Sequence, residues 1–169
     1  MSEGIGASVQ RKEDKKFLTG KGRYTDDINR PGQTHAYFVR SDVAHANIKS
    51  IDTKAASAAS GVVAVYTGED VAADGIGGPI CGWVVPCRDG SPTKEPPHPI
   101  LANGKVRYVG DHVAVVIAET LAQAKSAAEL VEVEFEELPA VVDLESASSS
   151  AEIHKEVPDN CYFDWELGD

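Results

Sequence analysis

Long apolar runs are scarce in this chain of 169 residues, and none approaches the roughly 20 residues a helix needs to cross a bilayer. The opening segment, MSEGIGASVQRKEDKKF, lacks the apolar stretch of a secretory signal, so the chain reads as cytoplasmic with no membrane span. Positive charge is also short: 16 basic against 27 acidic residues leave a net charge of −11. Phosphates would be repelled, which excludes nucleic acid and an anionic membrane surface as partners. Cysteine is limited to Cys81, Cys87 and Cys161, an odd set without the rhythm of a disulfide framework. A metal or redox pair at Cys81 and Cys87 is disfavoured because their spacer matches no common zinc pattern and no CxxC stands elsewhere. Ordinary reduced thiols are expected.

The 42% hydrophobic content suits one domain with a real core. Residues 1–31, polar and punctuated by glycines, read as an extended arm with turns. Gln33–Ser41 and Ile48–Thr53 read as strands. Lys54–Ser60 is alanine-rich and predicts a short helix ended by Gly61. Val62–Thr67 is apolar enough for a buried strand, and a helical turn is expected over Glu69–Ala73. Residues 74–99 then hold six of the nine prolines and five of the fifteen glycines, which suits neither helix nor central strand. A loop of that length carrying Trp83, Ile80, Val84 and Val85 is either a partner- or substrate-facing segment or a floppy insertion.

Regular structure is expected again at Val106–Val109. His112–Ala118, apolar throughout, predicts a strand buried on both faces. Thr120–Leu130 is the clearest helix, with Thr120 as N-cap and Gln123 completing a capping box. Its apolar stripe is Leu121, Ala124 and Ala128, with Lys125 and Glu129 facing outward. Val131, Val133 and Phe135 alternate with Glu132, Glu134 and Glu136, the pattern of a strand with one wet face. Leu138–Asp143 continues extended, Ser146–Ser150 reads as a linker, and the tail brings Tyr162, Phe163 and Trp165 with no periodicity. Three aromatics there suggest packing on something outside this chain. Mixed strands with a few helices make the fold class α+β.

The chemistry-bearing residues do not assemble a catalytic site. The pieces GIG and GKG are not followed by a helix start, so neither is a P-loop or a dinucleotide fingerprint. Glu132, Glu134, Glu136 and Glu137 fit a solvated strand face better than a metal or acid–base cluster. His35, His45, His98, His112 and His154 are scattered, and only His45 and His112 are expected to be ordered. No GxSxG or Cys/His signature supplies a nucleophile for them. The expected catalytic, cofactor-binding and metal-ligating sets are therefore each none.

Five segments in fixed order carry a resemblance: SVQRKEDKKFLTGKGRYTDDINRPG, FVRSDVAHANIKSID, GVVAVYTGED, VRYVGDHVAVVIAET and AKSAAELVEVEFEELPAVVD. The succession, from about Gly6 to Asp143 with a weaker echo in DNCYFDWELGD, resembles the α/β-hammerhead domain that opens the large, molybdenum-bearing subunit of the xanthine dehydrogenase, aldehyde oxidase and aerobic carbon monoxide dehydrogenase family. Within it the chain leans toward bacterial carbon monoxide dehydrogenase-like large chains. One departure is Asp111-His112 after Gly110, where family members commonly carry Glu-Pro or Gln-Pro.

The resemblance implies an arm over 1–31, the hammerhead over 32–145, and over 146–169 a linker with the start of a following molybdopterin-binding region. It implies that the full-length subunit binds molybdenum in a molybdopterin dinucleotide and oxidises carbon monoxide, aldehydes or N-heterocycles with water as oxygen source. Partner subunits would carry iron–sulfur clusters and FAD. The domain itself would support the site and subunit contacts and be inactive as a 169-residue chain. Gly78–Pro99 with Trp83 would lie near the substrate channel, while Arg40, Ser41 and His45 would either meet the catalytic region or simply build a turn. The alternative is a free-standing scaffold or binding module that keeps the hammerhead fold without enzymatic activity.

Overall fold

The computed structural model describes residues 4–6, 8, 9 and 11–168. The chain forms two units, 1–33 and 34–169. In the first, the arm is less extended than its composition suggests. A single helical turn, α1 (Asp14–Leu18), is followed by a 3-10 turn at Thr25–Asp27, and Phe17 stacks on Tyr24 with ring centres 5.4 Å apart. The Asp27 carboxylate accepts the Tyr24 backbone N–H at 2.9 Å, tying off a donor that the turn leaves open.

The second unit is built on two three-stranded antiparallel sheets. In one, β5 (His112–Ala118) lies between β1 (His35–Arg40) and β3 (Val62–Thr67). In the other, β2 (Ala46–Asp52) lies between β4 (Lys105–Val106) and β6 (Glu132–Glu137). The central place of β5 follows from the six apolar residues Val113–Ala118, which cover both faces, and Val113, Ala114, Val116 and Ala118 are buried. Val113 joins Ala46, Ala102 and Val106 in a core closed by Ile48, Ile51, Val133 and Phe135. Val116, further along the same strand, packs instead with Ala127 and Ala128 of α4 (Leu121–Ala128). One strand thus ties both cores together.

Three expectations need correction. β3 is an edge strand rather than a buried one, and Val63 is 61% exposed, because β5 covers only one of its sides. The buried stripe of α4 is Ala124, Ala127 and Ala128, whereas Leu121 in the first turn is 44% exposed. Alanines at the contact let the helix lie close on the sheet, while Lys125 passes over the Tyr37 ring at 5.8 Å. Thr120 caps α4 by accepting the Gln123 N–H at 3.2 Å, yet its hydroxyl donates to Gln123 Oε1 at 2.7 Å, so the reciprocal half of the box is not made. A fuller reciprocal cap stands at α3 (Gly68–Ala73), where the Asp70 carboxylate accepts both the backbone N–H and the hydroxyl of Thr67. Those two hydrogen bonds hold the Asp70 carboxyl below the usual carboxylate range. Among the described residues, no helix is long and apolar enough to cross a membrane.

Candidate functional site

Two constellations gather the residues singled out by sequence. The first is the corner after β1. Ser41 donates its N–H to the Asp111 carbonyl at 2.8 Å and accepts from Gly110 N–H at 2.7 Å. Its hydroxyl donates to the Val43 carbonyl at 2.7 Å, and Arg40 Nη1 reaches the Gly110 carbonyl at 3.2 Å. Buried His45 donates from Nδ1 to the Pro139 carbonyl at 2.8 Å. Its Nε2 is buried with no hydrogen-bond partner among the described residues. Arg40, Ser41 and His45 therefore build the turn that joins the 108–111 segment to the extended run after β6. His112 stacks on Phe38 with ring centres 4.5 Å apart.

The second constellation was legible only in part. The 74–99 loop has no regular secondary structure, yet its own backbone and side chains hydrogen-bond within it. Within it, Cys87 N–H donates to the Ser91 carbonyl and Gly90 N–H to the Cys87 carbonyl, both at 2.8 Å, and the Thr93 hydroxyl donates to the Val85 carbonyl. Gly78 lies so close to the His98 carbonyl that a Cβ would sit 1.8 Å from its oxygen, which explains glycine where the two ends of the loop meet.

The tail then lies along this loop. Arg88 N–H donates to the Asp164 carbonyl at 2.7 Å and Lys94 N–H to the Tyr162 carbonyl at 3.0 Å. Arg88 pairs with Asp164 at 2.6 Å and Lys94 with Asp159 at 2.9 Å, and the two tryptophans meet edge to face at 5.6 Å. The sequence reading sends the tail's aromatics outside the chain. Trp165 meets Trp83 and the Tyr162 backbone meets Lys94 on the chain's own loop, while Phe163 stays exposed.

One residue passed over in the sequence, Asn160, organises this tail. Its Oδ1 accepts Ile153 N–H at 3.0 Å, and its Nδ2 donates to the carbonyls of Ala147 at 2.9 Å and Ala151 at 3.1 Å. Its backbone is left-handed, φ 51°, a conformation asparagine tolerates better than most residues. The Asp159-Asn160 pair was the available signal, a turn dipeptide in a segment otherwise without pattern. Ser146–Ser150, read as a linker, holds a 3-10 turn at Ala147–Ser149.

Between loop and tail lies an open groove of about 730 Å³, whose walls include Ile80, Cys81, Pro97, His154, Tyr162 and Phe163. His154 Nδ1 is buried without a partner, and desolvation, with Arg107 close by, lowers its pKa from the ordinary histidine value. The glutamates of β6 face outward: Glu136 accepts from Asn47 at 2.9 Å and pairs with Lys49, and Glu134 accepts from Ser50 at 3.2 Å. These are cross-strand surface contacts, in line with a solvated face.

The three thiols do not share a donor set for a metal. Each thiol contacts a different backbone carbonyl, of Trp83, Pro92 and Phe163. No three metal-ligating side chains converge among the described residues. No chemical step is therefore routed through such a group in this chain.

Comparison with known proteins fits this architecture. Residues 19–139 match the family described as aldehyde oxidase and xanthine dehydrogenase, a/b hammerhead domain. The chain is 41% identical over 157 residues to the nicotine 6-hydroxylase large subunit of Paenarthrobacter nicotinovorans, covering 92% of this chain and 18% of that protein. It is 36% identical over 181 residues to the carbon monoxide dehydrogenase large chain of Afipia carboxidovorans, covering 99% of this chain and 21% of that one. Among solved structures, quinoline 2-oxidoreductase from Pseudomonas putida 86 superposes with a TM-score of 0.71 at 44% identity, over 85% of this chain and 17% of that chain. The chain thus spans about a fifth of the length of the curated relatives it matches.

Proposed function

Since the chain belongs to the aldehyde oxidase and xanthine dehydrogenase a/b hammerhead domain family, we propose that it acts as the N-terminal supporting domain of a molybdenum hydroxylase large subunit. The observation that carries the reading is the match along 92% and 99% of this chain to proteins of which it makes up 18% and 21%. In this reading the chain is inactive alone. Its two sheets, locked together by β5, form a rigid body that supports and partly walls off an active site supplied by the remaining large-subunit region. That region would bind molybdopterin dinucleotide with its molybdenum, and partner subunits would carry iron–sulfur clusters and FAD. Substrates would be carbon monoxide, an aldehyde or an N-heterocycle, oxidised with water as the oxygen source in the cytoplasm. The hammerhead proper would run over 32–145, preceded by the arm 1–31 and followed by a connection at 146–169, and no residue of this chain would be catalytic, cofactor-binding or metal-ligating.

A domain exchange tests this. The matching N-terminal region of the Paenarthrobacter nicotine 6-hydroxylase large subunit is replaced by this chain, and the hybrid is produced with its partner subunits. Assembly with nicotine oxidation supports the supporting-domain reading. A hybrid that folds neither here nor in the carbon monoxide dehydrogenase large chain would favour a free-standing scaffold.

A further inference from the structure

The 74–99 loop and the tail expose several large apolar side chains. Ile80 is 91% exposed, Trp83 68% and Leu167 90%, and Phe163 and Val84 are also exposed. Of these, Ile80 and Phe163 line the groove of about 730 Å³. Both tryptophans of the chain stand here, touching only at an edge. Large apolar side chains in such a cluster are costly to leave in water, and they mark a surface that another body covers.

The charge pattern points the same way. Two of the acids on this face are held in internal pairs, Asp164 with Arg88 and Asp159 with Lys94, while Glu95 also lines the groove. Exposed apolar side chains with paired ions beside them fit an apolar patch with a polar rim. His154 Nδ1, buried in the groove wall with no partner among the described residues, leaves one ring nitrogen free to hydrogen-bond with the covering body.

The occupant follows from the comparisons. Relatives that align with both loop and tail are about five times as long as this chain, so a polypeptide of several hundred residues accompanies this face in each of them. We propose that the loop–tail face is the docking surface for that remaining large-subunit polypeptide, with Ile80, Trp83 and Phe163 as its apolar anchors. The proposal rests on the supporting-domain reading above and assigns it a surface. A second copy of this chain is the competing occupant, and it would bring another −11 charge to the same contact.

Cys81, exposed and in the groove wall, is a native reporter. N-ethylmaleimide labelling of Cys81, read by peptide mass, is compared in the 169-residue chain and in the nicotine 6-hydroxylase hybrid. A Val63→Cys variant on the exposed edge strand serves as a second reporter. Docking at this face slows Cys81 labelling about tenfold or more in the hybrid, while the isolated chain labels as an open thiol at any concentration. An assembled hybrid whose Cys81 stays as reactive as in the free chain overturns the proposal and leaves the family reading standing. Slow, concentration-dependent labelling in the free chain would assign the face to self-association and overturn it too. A hybrid that never assembles removes both.

Ile80→Asp gives an independent arm, because so exposed a side chain contributes little to the fold of the free chain. Its urea midpoint should stay unchanged while the yield of assembled hybrid drops severalfold. An undiminished yield contradicts the proposal.

Discussion

Replacing Asn160 should release the tail from the loop, and the size of the effect can be worked from its contacts. Two of its three side-chain hydrogen bonds are part-buried and one is exposed, so at about 1 kcal/mol for each part-buried bond and less for the other, their loss costs roughly 2–3 kcal/mol. The left-handed backbone at φ 51° adds about 1–2 kcal/mol when the new residue carries an ordinary Cβ. Asn160→Ala is therefore expected to lose about 3–5 kcal/mol locally, and Asn160→Gly, which keeps the backbone freedom, about 1 kcal/mol less.

The assay is amide hydrogen exchange at Arg88 and Lys94. Their acceptors, the carbonyls of Asp164 and Tyr162, survive the substitution, so any lost protection reports tail release. With every ~1.4 kcal/mol worth a factor of ten, protection should fall by roughly a hundredfold to several thousandfold, or to the unprotected limit. Unchanged protection in the alanine variant would refute the claim that Asn160 holds the tail. Equal losses in Ala and Gly would refute the backbone component.

Other perturbations read other parts of the fold. Thr120→Ala removes the α4 cap and should lower stability by about 1 kcal/mol in urea unfolding. Ala124→Leu forces bulk between α4 and its sheet and should cost about 1–3 kcal/mol, whereas Leu121→Ala, at an exposed position, should cost well under 1 kcal/mol. Gly78→Ala drives a Cβ onto the His98 carbonyl, and loss of loop protection by hydrogen exchange with little change in the β5 amides is the expected result. The histidine pKa lowered by burial at His154 means the unfolded chain binds that proton more readily. Its contribution is complete above the ordinary histidine value near 6.5 and is lost as pH falls through and below it; His154→Gln should remove that part of the slope in urea midpoints.

The central strands and the main helix were legible because their patterns are local. His112–Ala118 is apolar on both faces and sits mid-sheet, and the Val/Glu alternation of Glu132–Glu137 gives one wet face. Thr120 announced the start of α4 through a contact only three residues away. Other features failed for a stated reason. Val62–Thr67 reads as buried because apolar content cannot distinguish an edge strand from a central one, which depends on which strands pair. Leu121, in the first turn of α4, is 44% exposed while Ala124, Ala127 and Ala128 are buried, a difference that apolar spacing alone does not separate. The tail's seat on the loop joins two irregular segments some 70 residues apart through backbone hydrogen bonds, and no periodicity encodes such a contact. At the corner after β1, Ser41 and His45 were visible as candidates, but their burial and carbonyl partners, which make them builders of a turn, come only from the fold.

Molybdenum content, measured by mass spectrometry, tests the central claim most directly. The purified 169-residue chain and the nicotine 6-hydroxylase hybrid that contains it are produced side by side in molybdenum-replete cells. The account predicts metal at near one per large subunit in the hybrid and none above background in the chain alone. Stoichiometric molybdenum in the short chain would contradict it and relocate the metal site to residues that show no such convergence.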